Sequence, residues 1–153
     1  VEYSCGAACG RTLLGDEGVL LAEADLCQAF SKFSVHRGVM ADDMANAMNG
    51  LASKNGVNRT YQGGIFGAEH VDGYFQIFME KANSGKSFMA NINNHWVVVD
   101  GFDASRGMVK IRDPWNSNIP KHEFKVFEFG RTAEVNKSVF SSAWKNTEGS
   151  VVW

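Results

Sequence analysis

The chain has 153 residues, with 15 Lys/Arg set against 17 Asp/Glu, a formal net charge of -2 and no basic run, so neither nucleic acid nor an anionic membrane is its expected partner. With 11 Phe, 4 Trp and 3 Tyr it can bury a substantial core, and its length reads as one domain spanning residues 1–153. The longest apolar run, Gly18 to Ala22, is too short to span a bilayer, and 3 cysteines do not make a disulfide scaffold, which favours reduced thiols and action in a cytosol.

Ser4-Cys5-Gly6-Ala7-Ala8-Cys9-Gly10 opens a helix and places Cys5 at or just before its N-terminus. Free backbone N–H groups and the positive end of the helix dipole stabilise a thiolate there. Gly6 and Ala7 leave room for a substrate to approach. After a turn at Gly15 to Gly18, residues Ala22 to Phe33 carry Leu26, Phe30 and Phe33 at helical spacing, which makes Cys9 and Cys27 small core residues. A third helix runs from Ala41 to Lys54 with Met44, Ala47, Met48 and Leu51 on one stripe, and Asn55-Gly56 stops it. The glycine-rich stretch Tyr61 to Gly67 either borders a cleft, with Gln62 and Gly63 at its rim, or simply makes a turn. Asp72 is the expected N-cap of a helix through Ala82 that turns Phe75, Phe78 and Met79 inward.

Lys86 to Ile92 reads as a strand, and Asn93-Asn94 suits a two-residue hairpin turn because Asn tolerates positive φ. That turn sets Phe88 opposite Val99, Ala90 opposite Val97 and Ile92 opposite His95. A second hairpin joins His95–Gly101 to Met108–Asp113 across a Gly/Asp/Ser cluster. Centred near Ala104, it pairs Val99 with Val109, Val97 with Ile111 and His95 with Asp113 on one face. Trp96/Arg112, Val98/Lys110 and Asp100/Met108 then share the other face, with Asp100 either helping to shape the site or, as the favoured reading, a solvated carboxylate near the turn. A strand at Glu123 to Phe129, a helix at Ser138 to Trp144 and a strand at Val151 to Trp153 complete the chain. Helices come first and an antiparallel sheet afterwards, an α+β layout with the reactive groups at the seam between them.

An imidazole next to a carboxylate at the end of an apolar face is half of a nucleophilic site, and Cys5 is the candidate for the other half. The competing chemistry is a structural zinc site from Cys5, Cys9, Cys27 and His36, which lacks a second closely spaced ligand pair. Neither a metal nor a cofactor is therefore expected. His36, His70 and His122 read as surface or loop residues. Trp96 and Trp115 are candidates to line a cleft, with core or rim packing as the alternative.

The motifs S-C-G-A-A-C-G-R-x-L-L, H-W-V-V-V-D-G and I-R-D-P-W resemble those of papain-like peptidases related to the bacteriocin-processing C39 group. They look still more like the papain-fold toxin domains at the C-terminal ends of bacterial polymorphic toxins, such as contact-dependent inhibition and Rhs-type effectors. The likeness runs from Ser4 to the Phe140-x-x-x-Trp144 segment, its middle carried by helix and loop pattern alone. It implies a papain-like fold with Cys5 as nucleophile, His95 as general base and Asp113 as the acid that orients the ring. It also implies either proteolysis or glutamine deamidation of a protein substrate. The family places a Gln several residues ahead of the nucleophile, where its amide helps form the oxyanion hole. Val1 to Ser4 contains none, and Gln62 is the candidate replacement.

A toxin of this kind implies secretion as part of a larger protein, action in the target-cell cytoplasm and a cognate immunity protein in the producing cell. The position of Cys5 so near Val1 fits a segment lying upstream. Two alternatives are a leader peptidase of a bacteriocin exporter and a papain-fold module with an inactive site that only binds.

Overall fold

Turn chemistry fixes the centre of the structure. In this computed structural model, which describes residues 4–31, 41–113, 124–126 and 132–153, Asn93 and Asn94 adopt φ of 52° and 63°. Two consecutive positive φ values give the tight turn whose twist matches paired strands. Strand β2 (Phe88–Ile92) therefore meets β3 (His95–Asp103) with Phe88 opposite Val99, Ala90 opposite Val97 and Ile92 opposite His95, the expected register.

Around this hairpin the described residues form one sheet of seven strands in the order β1-β7-β2-β3-β4-β6-β5, every pair antiparallel. The others are β1 (Gly63–Ile65), β4 (Met108–Arg112), β5 (Phe124–Val126), β6 (Thr132–Asn136) and β7 (Ser150–Val152). The expected strand at Glu123 to Phe129 is β5, and the one at Val151 to Trp153 is β7. Strands β1 and β6 were not expected. The last strand, β7, inserts between β1 and β2, so both ends of the second half of the chain are tied into the same sheet.

Alternation along the strands gives the sheet two apolar faces, and helices cover both. Helices α1 (Ser4–Asp16), α2 (Glu23–Ser31) and α3 (Ala41–Lys54) build one layer. Leu13, Leu14, Leu26, Phe30, Met44 and Met48 there pack with Met89, Trp96, Val98 and Val152 of the sheet. On the opposite face α4 (Val71–Asn83) and α5 (Lys137–Lys145) bring Phe75, Phe78, Met79, Phe140 and Trp144 against Phe88, Val97, Val99, Ile111, Val135 and Val151. The chain is thus α+β, as expected, but with its helices divided between two layers.

Asp72 is not the N-cap of α4. A 3-10 turn over Ala68–His70 winds the chain before the helix, the cap position falls on His70 with no side-chain bond, and Asp72 sits in the first turn, where it accepts from Lys145 Nζ at 2.8 Å. A carboxylate there still meets the positive end of the helix dipole. Helix α5 has the more usual start, the Asn136 side chain accepting from the Ser138 N–H at 2.8 Å.

Candidate active site

Helix α1 is pressed onto the start of β3 because its small residues permit it. A Cβ on Gly6 would lie 2.9 Å from Met44 Sδ and 3.4 Å from Trp96 Cδ1, and Ala7 is fully buried. These two residues were expected to leave room for a substrate. Met44 and Trp96 occupy the space beside Gly6 instead. One turn on, the buried Cys9 thiol donates to the Trp96 carbonyl oxygen at 3.2 Å, so Cys9 is a core residue as expected, while Cys27 on α2 is half-buried. At its other end, Asp16 of α1 accepts from both Nη atoms of Arg112, at 3.0 and 2.6 Å. The helix therefore lies along β3 with its N-terminal turn at the His95 end. Residue 5 is the second of α1; its side chain lies outside the described residues.

His95 and Asp113 meet as a buried pair, 7% and 5% exposed, with Nε2 and Oδ1 2.6 Å apart. A carboxylate offers only lone pairs, so Nε2 carries the proton of this bond and Nδ1 becomes the basic nitrogen of the neutral ring. The pair forms although the expected strand register does not. Val99 faces Ile111 rather than Val109, and Val98 faces Arg112. Continued to the strand ends, this register sets Asp113 level with Val97, diagonal to His95 rather than across from it. A shift of two residues leaves every side chain on its original face, and long side chains span the diagonal between adjacent strands.

The shift begins at the turn, where Phe102 faces Val109 and Asp103 faces Met108, three residues from the expected register, and a bulge between Val99 and Gly101, with Asp100 as the extra residue, takes back one of the three. Asp100 is not a solvated turn carboxylate. It accepts from Arg112 Nε and Nη2, both at 2.8 Å, and from Ser87 Oγ at 2.6 Å. On the far side of the bulge, the Asn83 side chain holds the Phe102 N–H at 2.8 Å, and a Cβ on Gly101 would come within 2.3 Å of Asn83 Oδ1. Arg112 thus joins the C-terminal end of α1 to the two strands carrying His95 and Asp113. Its proximity to two carboxylates raises its pKa. No reading of the sequence singled out this cluster; the adjacency of Arg112 to Asp113 was its one visible sign.

A groove of about 420 Å³ runs beside Asp113, lined by Ala8, Arg11, Thr12, Asp16, Leu21, Arg112 and Asp113 among others. The Asp113 end of β4 therefore opens toward α1. Among the described residues no group of three or more His, Cys, Asp or Glu side chains could hold a metal ion.

No family model, curated protein or solved structure matches this chain.

Gln62 and Gly63 are not part of this site. Gly63 lies in β1, its partner is Val152, and Gln62 exchanges two backbone hydrogen bonds with Trp153, each 2.8 Å. Three strand spacings separate β1 from β3, which puts the two residues roughly 14 Å from His95 across the sheet and at least about 10 Å along it. Gly63 is glycine for packing reasons, since a Cβ there would lie 2.0 Å from the Ala41 carbonyl oxygen at the start of α3. Trp96 does belong to the neighbourhood, buried to 5% exposure against Gly6. His70 is exposed, 3.5 Å from Glu69. His36, Trp115 and His122 lie outside the described residues.

Proposed function

We propose that this chain is a papain-like cysteine hydrolase of the bacterial-toxin kind, acting on a protein substrate by proteolysis or glutamine deamidation, with Cys5 as nucleophile. The observation that supports it is the buried His95–Asp113 bond of 2.6 Å set at the strand end against which the first turn of α1 is packed. Residue 5 lies in that turn, where unpaired backbone N–H groups favour a thiolate. In this reading His95 Nδ1 takes the thiol proton and Asp113 fixes the tautomer that makes it able to. The sulfur then attacks an amide carbonyl, and the Cys5 backbone N–H stabilises the resulting oxyanion. The imidazolium gives its proton to the departing amine or ammonia, and water releases the acid from the thioester. Secretion within a larger protein, action in the target-cell cytoplasm and capture by an immunity protein follow from the same reading. Among the described residues no helix is long and apolar enough to cross a membrane.

The test is expression of the wild-type chain and of Cys5→Ala in bacterial cytosol, followed by proteome mass spectrometry. New peptide termini that depend on Cys5 identify a protease, and Gln-to-Glu conversions identify a deamidase. Equal growth of the two strains removes the toxin reading. Failure of a thiol probe to label Cys5 faster in wild type than in His95→Ala removes the catalytic one.

A further inference from the structure

Acyl transfer to a thiolate requires a second donor beside the backbone N–H of the nucleophile, aimed where the carbonyl oxygen becomes negative. Gln62, the side chain first considered for that place, is three strands away. Resting on the cysteine-hydrolase reading, we propose that the indole N–H of Trp96 is this donor, a catalytic role beyond lining the cleft.

The helix geometry supplies the placement. At about 100° per residue, Gly6 lies roughly 100° to one side of residue 5 on α1 and Ala8 roughly 60° to the other. The Gly6 side meets Trp96, whose Nε1 is 3.8 Å from the position of a Gly6 Cβ. The Ala8 side opens on the groove that Asp113 lines. The indole edge therefore borders the turn that carries residue 5 on one side, while the acid that orients the base lines the groove on the other.

The N–H is also unspent among the described residues. Trp144 donates its Nε1–H to the Ser150 carbonyl oxygen at 2.9 Å, whereas among the described residues the bond that Trp96 makes outside the sheet ladder uses its backbone carbonyl, which accepts from Cys9. Directly across from Trp96 on β2, on the same face of the sheet, the buried Asn91 Oδ1 has no partner among the described residues. The edge of the ring that carries Nε1 is turned toward Gly6 at the start of α1. A buried donor packed against Gly6, with no bond to another described residue, costs little reorganisation when charge develops beside it.

The experiment compares two reactions of Cys5 in the full chain. With 4-nitrophenyl acetate the thiolate adds to the carbonyl carbon, the π pair moves to oxygen, and collapse expels 4-nitrophenolate to leave the acetyl thioester. With iodoacetamide the sulfur displaces iodide at the methylene carbon and no oxyanion forms. Trp96→Phe should slow Cys5-dependent acylation about 100-fold while alkylation of Cys5 stays within about twofold of wild type. Replacing Trp96 with 3-benzothienylalanine, which keeps the ring shape and puts sulfur in place of N–H, should do the same and guards against loss of packing in the Phe variant. Acylation at the wild-type rate in the benzothienyl chain overturns the proposal. Absence of any Cys5-dependent reaction in wild type, with either reagent, instead overturns the hydrolase reading on which it rests.

Discussion

Arg112→Met tests whether the cluster behind the His95–Asp113 pair is structural. Methionine keeps the aliphatic stem and removes a guanidinium that is 27% exposed and bonded to two carboxylates. The Asp16 arm is the more open, with that carboxylate 39% exposed, and its loss costs about 0.5–1 kcal/mol. The Asp100 arm matters more. Without Arg112 this half-buried carboxylate keeps, among the described residues, the Ser87 hydroxyl at 2.6 Å and loses two charge-assisted bonds, a cost of about 1.5–2 kcal/mol. Urea unfolding should therefore show a loss of about 2–3 kcal/mol with an unchanged m-value, and Tm should fall by roughly 5–10 °C. Because the penalty comes mainly from a stranded charge, adding Asp100→Asn to Arg112→Met should recover about 1 kcal/mol. Two results refute this account: a single-variant loss under about 0.5 kcal/mol, or a double variant whose loss equals the sum of the two singles.

Two further predictions concern groups away from the pair. The buried Tyr61 hydroxyl has no hydrogen-bond partner among the described residues, and burial pushes its pKa up to about 12, against an opposing pull from Arg59, whose guanidinium sits 4.8 Å from the ring centroid. A raised folded-state pKa means that its contribution is intact below the ordinary value of 10.0 and is lost as pH rises through about 12. Tyr61→Phe should accordingly leave neutral-pH stability within about 1 kcal/mol of wild type and flatten the alkaline loss in urea titrations run at graded pH; a neutral-pH loss above about 2 kcal/mol would show that the hydroxyl has a bond to lose. Gly63→Ala sets a Cβ 2.0 Å from the Ala41 carbonyl oxygen, a backbone atom that no rotamer change can clear, so α3 must shift and unfolding should cost about 2–4 kcal/mol less than in wild type. Wild-type stability in that variant would mean that β1 and α3 do not pack this closely.

The sequence made legible whatever was decided by near neighbours. Asn93-Asn94 fixes the β2–β3 register because the turn admits only one pairing across it, and the stripes Met44, Ala47, Met48 and Phe75, Phe78, Met79 are buried because helical spacing alone puts them on one side. The β3–β4 register departs twice from the expected pattern, by three residues at the turn and by one, in the opposite sense, at Asp100. A bulge at Asp100 is stabilised by Arg112, Ser87 and Asn83, and none of these bonds is visible in the local pattern of the hairpin. The His95–Asp113 contact nonetheless emerged from the wrong pairing, because an even shift preserves the face and only the face had to be right. Glycine shows the opposite failure. At Gly6 and Gly63 a missing side chain means either space for a ligand or space already taken by another element, and the residue type is the same in both cases. Met44 and Trp96 fill the first gap and the Ala41 backbone fills the second, from positions between 22 and 90 residues away in the chain. What separates a cleft from a tight contact is thus the identity of the distant neighbour, a property of the folded sheet order rather than of any stretch of sequence. The same dependence is why an indole first read as a wall of the cleft becomes a candidate donor only when the helix packed against it is known.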